Sequence, residues 1–228
     1  MLDQLKQRLA DKRARIGVIG LGYVGLPLIL RLSAQGFPVA GFDINGEHIA
    51  GLKEGKSPFT HIPDSDVSRL VGADTILTSD FARVADVDAI LICLPTPLDR
   101  YRQPDLSYVT SSIETIRPYL HSQMLISLES TTWPGTTDEI LLPMVQETGL
   151  KVGEDIALVF SPEREDPGNE NFALHQIPKV VGGVTPECLS AGQLLYGAIV
   201  DTVVPVSSTR AAELTKLLEN IQDRKSVV

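Results

Sequence analysis

Three glycines in the pattern Gly20-x-Gly22-x-x-Gly25 directly follow the apolar run Ile16-Gly17-Val18-Ile19. A strand, a tight turn and a helix over such a stretch form a seat for a dinucleotide pyrophosphate. Gly20 permits the turn, Gly22 lets the main chain approach the phosphates, and Gly25 lets the helix pack close to the strand. Tyr23 and Val24 lie where that helix opens, and its free N–H groups and partial positive charge attract phosphate oxygens. Asp43 ends the next apolar run, 23 residues beyond Gly20, where an acid accepts hydrogen bonds from the adenosine ribose. A carboxylate there repels a 2′-phosphate, and no Arg or Lys follows before Lys53, so NAD is favoured over NADP. FAD-binding folds share the fingerprint, and a glycine-rich surface turn beside an ordinary Asp also fits these residues alone.

Other candidates stand in smaller groups. Glu163, Arg164, Glu165 and Asp166 crowd one polar stretch. Crowded carboxylates raise one another's pKa toward values useful for proton transfer, although a solvated loop has the same composition. Lys216 and Asn220 are four apart and share a helix face, while Leu214, Leu217, Leu218 and Ile221 form an apolar stripe on the opposite one. A plain surface helix carries the same pattern. Ser130 and Thr131 open the turn before Thr136, where a threonine also serves as a helix N-cap. Pro95 and Thr96 close an apolar run, and prolines there are ordinary loop breakers too. Cys93 and Cys188 sit inside apolar patterns, far apart and without metal-like spacing, so no metal site is expected and both read as reduced core thiols.

These residues need a scaffold, and the chain alternates short apolar runs with longer helical patterns. Strands are expected over 15–20, 38–43, 75–78, 88–94, 124–129, 155–160, 179–182 and 201–205. Helices are expected over 24–35, 47–54, 64–71, 107–120, 136–148, 186–196 and 209–221. Strands separated by helices pair through crossovers, which predicts an α/β Rossmann-type fold, doubly wound, its mainly parallel sheet covered by helices on both faces. Every candidate then falls on a loop after a strand's carboxyl end or on the last helix, where ligands gather in such folds.

At 228 residues the chain suffices for one large α/β domain or a domain plus the start of a second. The net charge of −9 comes without a basic stripe, which argues against nucleic acid. No apolar run is long enough to cross a bilayer, and the amphipathic start (Leu2, Leu5 and Leu9 among charges) is unlike a signal peptide. No membrane partner is expected, and a cytoplasmic location is.

The loop Gly20–Pro27, the run Cys93-Leu94-Pro95-Thr96-Pro97 and the turn Glu129-Ser130-Thr131-Thr132-Trp133-Pro134-Gly135-Thr136 together resemble the UDP-glucose/GDP-mannose dehydrogenase family. The run Phe160-Ser161-Pro162-Glu163-Arg164-Glu165-Asp166-Pro167-Gly168-Asn169 is most similar to its branch oxidising UDP-N-acetylhexosamines. The runs 177–183 and 213–220 match as well, so the resemblance spans about residues 14 to 220. It implies NAD-dependent oxidation of a UDP-sugar C6 alcohol to the uronate. Thr131 is then expected to position water, Glu163 to move a proton or assist thioester hydrolysis, and Lys216 with Asn220 to steady an oxyanion and contact the sugar. Arg164 would help hold the substrate, and Pro95, Thr96, Ser130 and Thr131 would contact NAD.

The resemblance also implies a catalytic cysteine beyond the position of Asn220, in a second domain. Neither Cys93, at a strand end with no adjacent Lys, Arg or His to activate it, nor Cys188, within a helix pattern, serves as a replacement. The expected organisation is a helical extension over 1–13, an NAD-binding domain over 14–206 and, over 207–228, the start of an interdomain helix cut short, through which the full-length family dimerises. NAD binding without steady-state turnover follows. A non-catalytic dinucleotide-binding module or sensor is the alternative. A 3-hydroxyacid-type dehydrogenase leaves the run 161–169 without explanation.

Overall fold

In the computed structural model, residues 2–72, 74–98, 100, 103–163 and 177–225 are described. The strands are β1 (Ile16–Ile19), β2 (Val39–Phe42), β3 (Thr75–Thr78), β4 (Ala89–Ile92), β5 (Met124–Leu128), β6 (Ile156–Phe160), β7 (Lys179–Gly183) and β8 (Val203–Pro205). The helices are α1 (Asp3–Ala10), α2 (Gly25–Ala34), α3 (Gly46–Lys53), α4 (Asp64–Leu70), α5 (Ser107–Ile116), α6 (Leu142–Gln146), α7 (Pro186–Gly197) and α8 (Thr209–Lys225). β1, β2, β4, β5 and β6 are buried along their whole length, as strands covered on both faces must be.

The strands form one sheet in the order β3-β2-β1-β4-β5-β6-β7-β8. All pairings are parallel except β6 with β7, so the mainly parallel doubly wound sheet holds with one reversal. The winding changes direction between β1 and β4, which opens a crevice beyond their carboxyl ends, at Gly20 and Cys93. One core cluster gathers Leu26, Ile29, Leu52, Leu195 and Tyr196, together with Leu5 and Leu9 of α1 and Leu2 just before it. The other gathers Val109, Ile113, Leu141 and Val145.

Local departures from the expected elements have identifiable causes. The helix expected over 107–120 stops at Ile116, and Arg117–Tyr119, with Pro118 inside it, tightens to a 3₁₀ turn. The helix expected over 136–148 begins as a π turn over Thr137–Leu141 and becomes α-helical only at Leu142. Pro143 has no N–H to return to the Glu139 carbonyl, and the Leu142 amide reaches back to Thr137. A 3₁₀ turn at Phe81–Asp86, started by the Asp80 carboxylate on the Ala82 amide, had no periodic signal. Among the described residues no helix is long and apolar enough to cross a membrane.

Candidate active site

The glycine loop is built by contact. Gly20 has φ +86°, and a Cβ there would lie 2.7 Å from the Cys93 carbonyl oxygen. A Cβ on Gly25 would stand 1.9 Å from the Gly20 carbonyl oxygen. At Gly22 a Cβ would meet nothing, because this peptide faces the open crevice. No side chain caps the start of α2; the Leu26 amide turns back to the Gly22 carbonyl at 3.0 Å, and no side-chain acceptor competes for the remaining donors of the first turn. The Asp43 carboxylate accepts from the Leu21 amide at 3.0 Å and the Asn45 amide at 2.9 Å, and His48 Nδ1 stands 3.9 Å from it. The open space at Gly22, the uncapped helix and the nearby carboxylate fit a dinucleotide.

Two clefts meet at this loop. One, of about 670 Å³, runs from Gly20, Gly22 and Asp43 between Ile44, Phe81, Leu94 and Tyr108, with Pro95 in its wall. The other, of about 480 Å³, is lined by Gly22, Tyr23, Val24, Pro95, Thr96, Glu129, Ser130, Thr131, Glu163 and Lys216. Residues from five separate stretches of the chain thus meet in one place. A groove of comparable size between α2 and α4, at Pro27, His61 and Arg69, adjoins this cluster through Tyr23 but is lined by none of the candidates. The exposed Tyr23 ring lies 4.4 Å from the Phe59 ring and stacks on His61 at 5.9 Å. Cys93 is buried, as expected, yet contributes to the walls of both clefts. Cys188 is buried and its sulfur accepts from the Leu158 amide at 3.3 Å.

Hydroxyls stitch the loops after β4 and β5 together. Ser130 Oγ accepts from the Leu94 amide at 3.1 Å and donates to the Leu94 carbonyl at 2.7 Å. Thr96 Oγ1 donates to the Thr131 carbonyl at 2.7 Å. The protons of Ser130 and Thr96 are therefore committed within the protein, leaving lone pairs for a ligand. The N-cap role open to Thr131 is not taken. The helix starts later, and its first amides are held by Glu213 of α8, which accepts from Gly135 N at 2.5 Å, Thr137 N at 2.9 Å and Thr137 Oγ1 at 2.7 Å. Burial pushes the Glu213 carboxyl up from its ordinary value against those hydrogen bonds.

That clamp sets the face of α8. Glu213 and Ala212 are buried, and Lys216 lines the cleft one turn on. Leu214, Leu218 and Ile221, the stripe a core would be expected to take, are exposed. Leu217, one turn on from Glu213, is half-buried, so the face that docks is the one carrying Ala212, Glu213 and Lys216. Arg164 lies outside the described residues, as does the side chain of Asn220.

Sequence reasoning missed a buried cluster beside Glu163. Lys179 Nζ donates to Glu129 Oε2 at 2.5 Å and to the Pro162 carbonyl at 3.2 Å, and sits 5.1 Å from the centre of the Tyr196 ring. The Tyr196 hydroxyl donates to the other Glu129 oxygen, and Ser127 Oγ is 2.6 Å from Tyr196 Oη. Burial raises the Glu129 carboxyl despite the ammonium beside it. It works to lower Lys179, but the Glu129 and Glu163 carboxylates outweigh it and hold the ammonium above its ordinary value. Burial and the Glu129 charge push the Tyr196 phenol well above 10. Glu129 ends one apolar run and Lys179 opens another, and both fall in runs that carry the family resemblance, but nothing in the sequence pairs them.

A doubly wound sheet with a glycine loop and an uncapped helix at its switch point, and an acid ending the neighbouring strand, defines a Rossmann-type dinucleotide-binding protein. Residues 14–200 match the NAD binding domain of the UDP-glucose/GDP-mannose dehydrogenase family, and the chain belongs to that family and carries its NAD-binding fold. It is 32% identical over 213 residues to a UDP-N-acetyl-D-glucosamine 6-dehydrogenase of Pseudomonas aeruginosa, covering 92% of this chain and 50% of that one. It is 36% identical over 214 residues to a UDP-N-acetyl-D-mannosamine dehydrogenase of Methanocaldococcus jannaschii, covering 90% and 47%. The structure of the UDP-N-acetyl-mannosamine dehydrogenase Cap5O from Staphylococcus aureus superposes with a TM-score of 0.82 at 33% identity, over 91% of this chain and 50% of that one. The chain spans about half the length of the curated relatives it matches.

Proposed function

We propose that this chain supplies the cofactor-binding part of an NAD-dependent dehydrogenase that oxidises the C6 alcohol of a UDP-N-acetylhexosamine to the uronate. The observation that carries this reading is the convergence of Thr131, Glu163 and Lys216 on the cleft that begins at Gly22. NAD, when bound, accepts hydride from the sugar carbon. The main-chain donors opening α2 hold the diphosphate, and Asp43 accepts from the adenosine ribose in the apolar cleft. The second cleft takes the nicotinamide end, walled by Pro95, Thr96, Ser130 and Thr131. There the Lys216 ammonium, with Asn220 one turn on, steadies negative charge developing on the sugar oxygen. Glu163 receives or returns a proton, and Thr131 orients water. Arg164, next to Glu163 in sequence, assists in holding the substrate. The thiol for the aldehyde stage is proposed to come from a second domain of the kind its relatives' greater length accommodates. A homodimer is proposed as well, supported by the exposed Leu214, Leu218 and Ile221 on α8.

Calorimetric titration of the purified chain with NAD, followed by UDP-N-acetylglucosamine, its galacto and manno epimers and UDP-glucose, tests the reading. Saturable NAD binding without NADH formation is expected. The cofactor assignment fails if NAD does not bind, and stoichiometric uronate production by this chain alone would refute the two-domain requirement.

A further inference from the structure

The buried Glu129–Lys179–Tyr196 cluster has no part in the chemistry proposed above, yet it adjoins Glu163. Withdrawing a carboxylate and an ammonium from water is costly, and well-packed apolar side chains commonly stabilise a fold as much or more. Stability alone therefore does not account for the pair. Its geometric effect lies in the chain leaving β6. The Ser161 amide donates to the Leu128 carbonyl at 3.0 Å, and its hydroxyl to the Val180 carbonyl at 2.8 Å. The Pro162 carbonyl accepts from Lys179 Nζ at 3.2 Å, and the Glu163 amide donates to the Glu129 carbonyl at 3.2 Å. Three consecutive residues are thus tied to β5, the residue after it and β7, and the last of them lines the cleft.

We propose that Lys179 is the positioning residue for Glu163: its ammonium, held by the Glu129 carboxylate and the Tyr196 ring, grips the Pro162 carbonyl and fixes where Glu163 enters the cleft. Its three donors suit this role, since an ammonium makes several directed bonds that an apolar side chain of equal size cannot. The inference rests on reading that cleft as the nicotinamide end.

The test is calorimetric titration of the whole chain with NAD and, separately, with ADP-ribose, which lacks the nicotinamide and does not reach Glu163. Lys179→Met keeps the side chain's length and removes its donors. The Kd for NAD is expected to rise roughly fivefold, and that for ADP-ribose by less than about twofold. In a Glu163→Ala background, adding Lys179→Met is expected to change NAD affinity by less than about twofold, because the two substitutions act on one contact. If Lys179→Met alone does not fold, Lys179→Met with Glu129→Gln leaves no unpaired buried charge and carries the same expectations. Equal losses for both ligands, or an undiminished effect in the Glu163→Ala background, overturns the positioning role. Absence of saturable NAD binding to the unsubstituted chain overturns the reading of the cleft instead, and the inference with it.

Discussion

The Asp43 carboxylate accepts the amide hydrogen of Leu21, between the first two loop glycines, at 3.0 Å. The end of β2 and the phosphate loop are thereby locked together, and the acid is already oriented when a ribose arrives. A carboxylate oxygen has more than one lone pair, so this internal bond leaves acceptor capacity for the ribose hydroxyls. Asp43→Ala is expected to weaken NAD binding by roughly 10- to 100-fold, the value of a hydrogen bond to a charged group. Asp43→Asn keeps an oxygen for Leu21 and is expected to lose less. NADP binding tighter than NAD in the unsubstituted chain would contradict this role for Asp43.

Gly22 and Gly25 belong to one motif but are required for different reasons. A methyl at Gly22 enters open space, so Gly22→Ala is expected to fold with an unchanged thermal midpoint and to weaken NAD by about tenfold or more, since the methyl occupies the diphosphate's approach. A methyl at Gly25 would overlap the Gly20 carbonyl, and Gly25→Ala is expected to cost about 1–3 kcal/mol of stability before any ligand is added. Thermal melts beside NAD titrations separate the two. Equal destabilisation would show that Gly22 is structural.

Much of this arrangement was legible in the sequence because it is local. The glycine loop follows its strand directly, and runs such as Ala89–Ile92 and Ile156–Phe160 are apolar enough to require burial on both faces. What escaped depends on distant partners. Helical spacing groups Lys216 apart from Leu214 and Leu218, but it does not say which face docks. That choice is made by Glu213 reaching the amides of Gly135 and Thr137. The Glu129–Lys179 pair joins residues 50 apart through the pairing of β6 with β7, the one reversed pair, which no periodicity announces.

Glu213 therefore has a measurable duty. Glu213→Ala leaves two buried amides without acceptors and is expected to cost about 2–3 kcal/mol in urea unfolding. It also frees α8, so NAD affinity is expected to fall as Lys216 leaves its place in the cleft wall. A variant that loses stability but binds NAD as before would separate α8 from the cofactor.

The Tyr196 phenol gives the buried cluster a pH signature. Its pKa is pushed well above 10 by burial and by the Glu129 charge, so the folded protein keeps a proton that the unfolded tyrosine releases near pH 10. The folded state then binds more protons, and stability falls as pH rises from about 10 toward the raised folded value, by up to about 1.4 kcal/mol per pH unit for this one group. Tyr196→Phe removes that proton from the balance. At neutral pH the variant is expected to be less stable by about 1 kcal/mol, because Ser127 and Glu129 lose a partner. Lys179 is common to both proteins, so its deprotonation largely cancels in the comparison. The stability gap between the two is expected to narrow, and then to reverse, in urea melts from about pH 9 to about pH 11. A constant gap would mean that the phenol titrates alike in both states, which its burial against a carboxylate forbids.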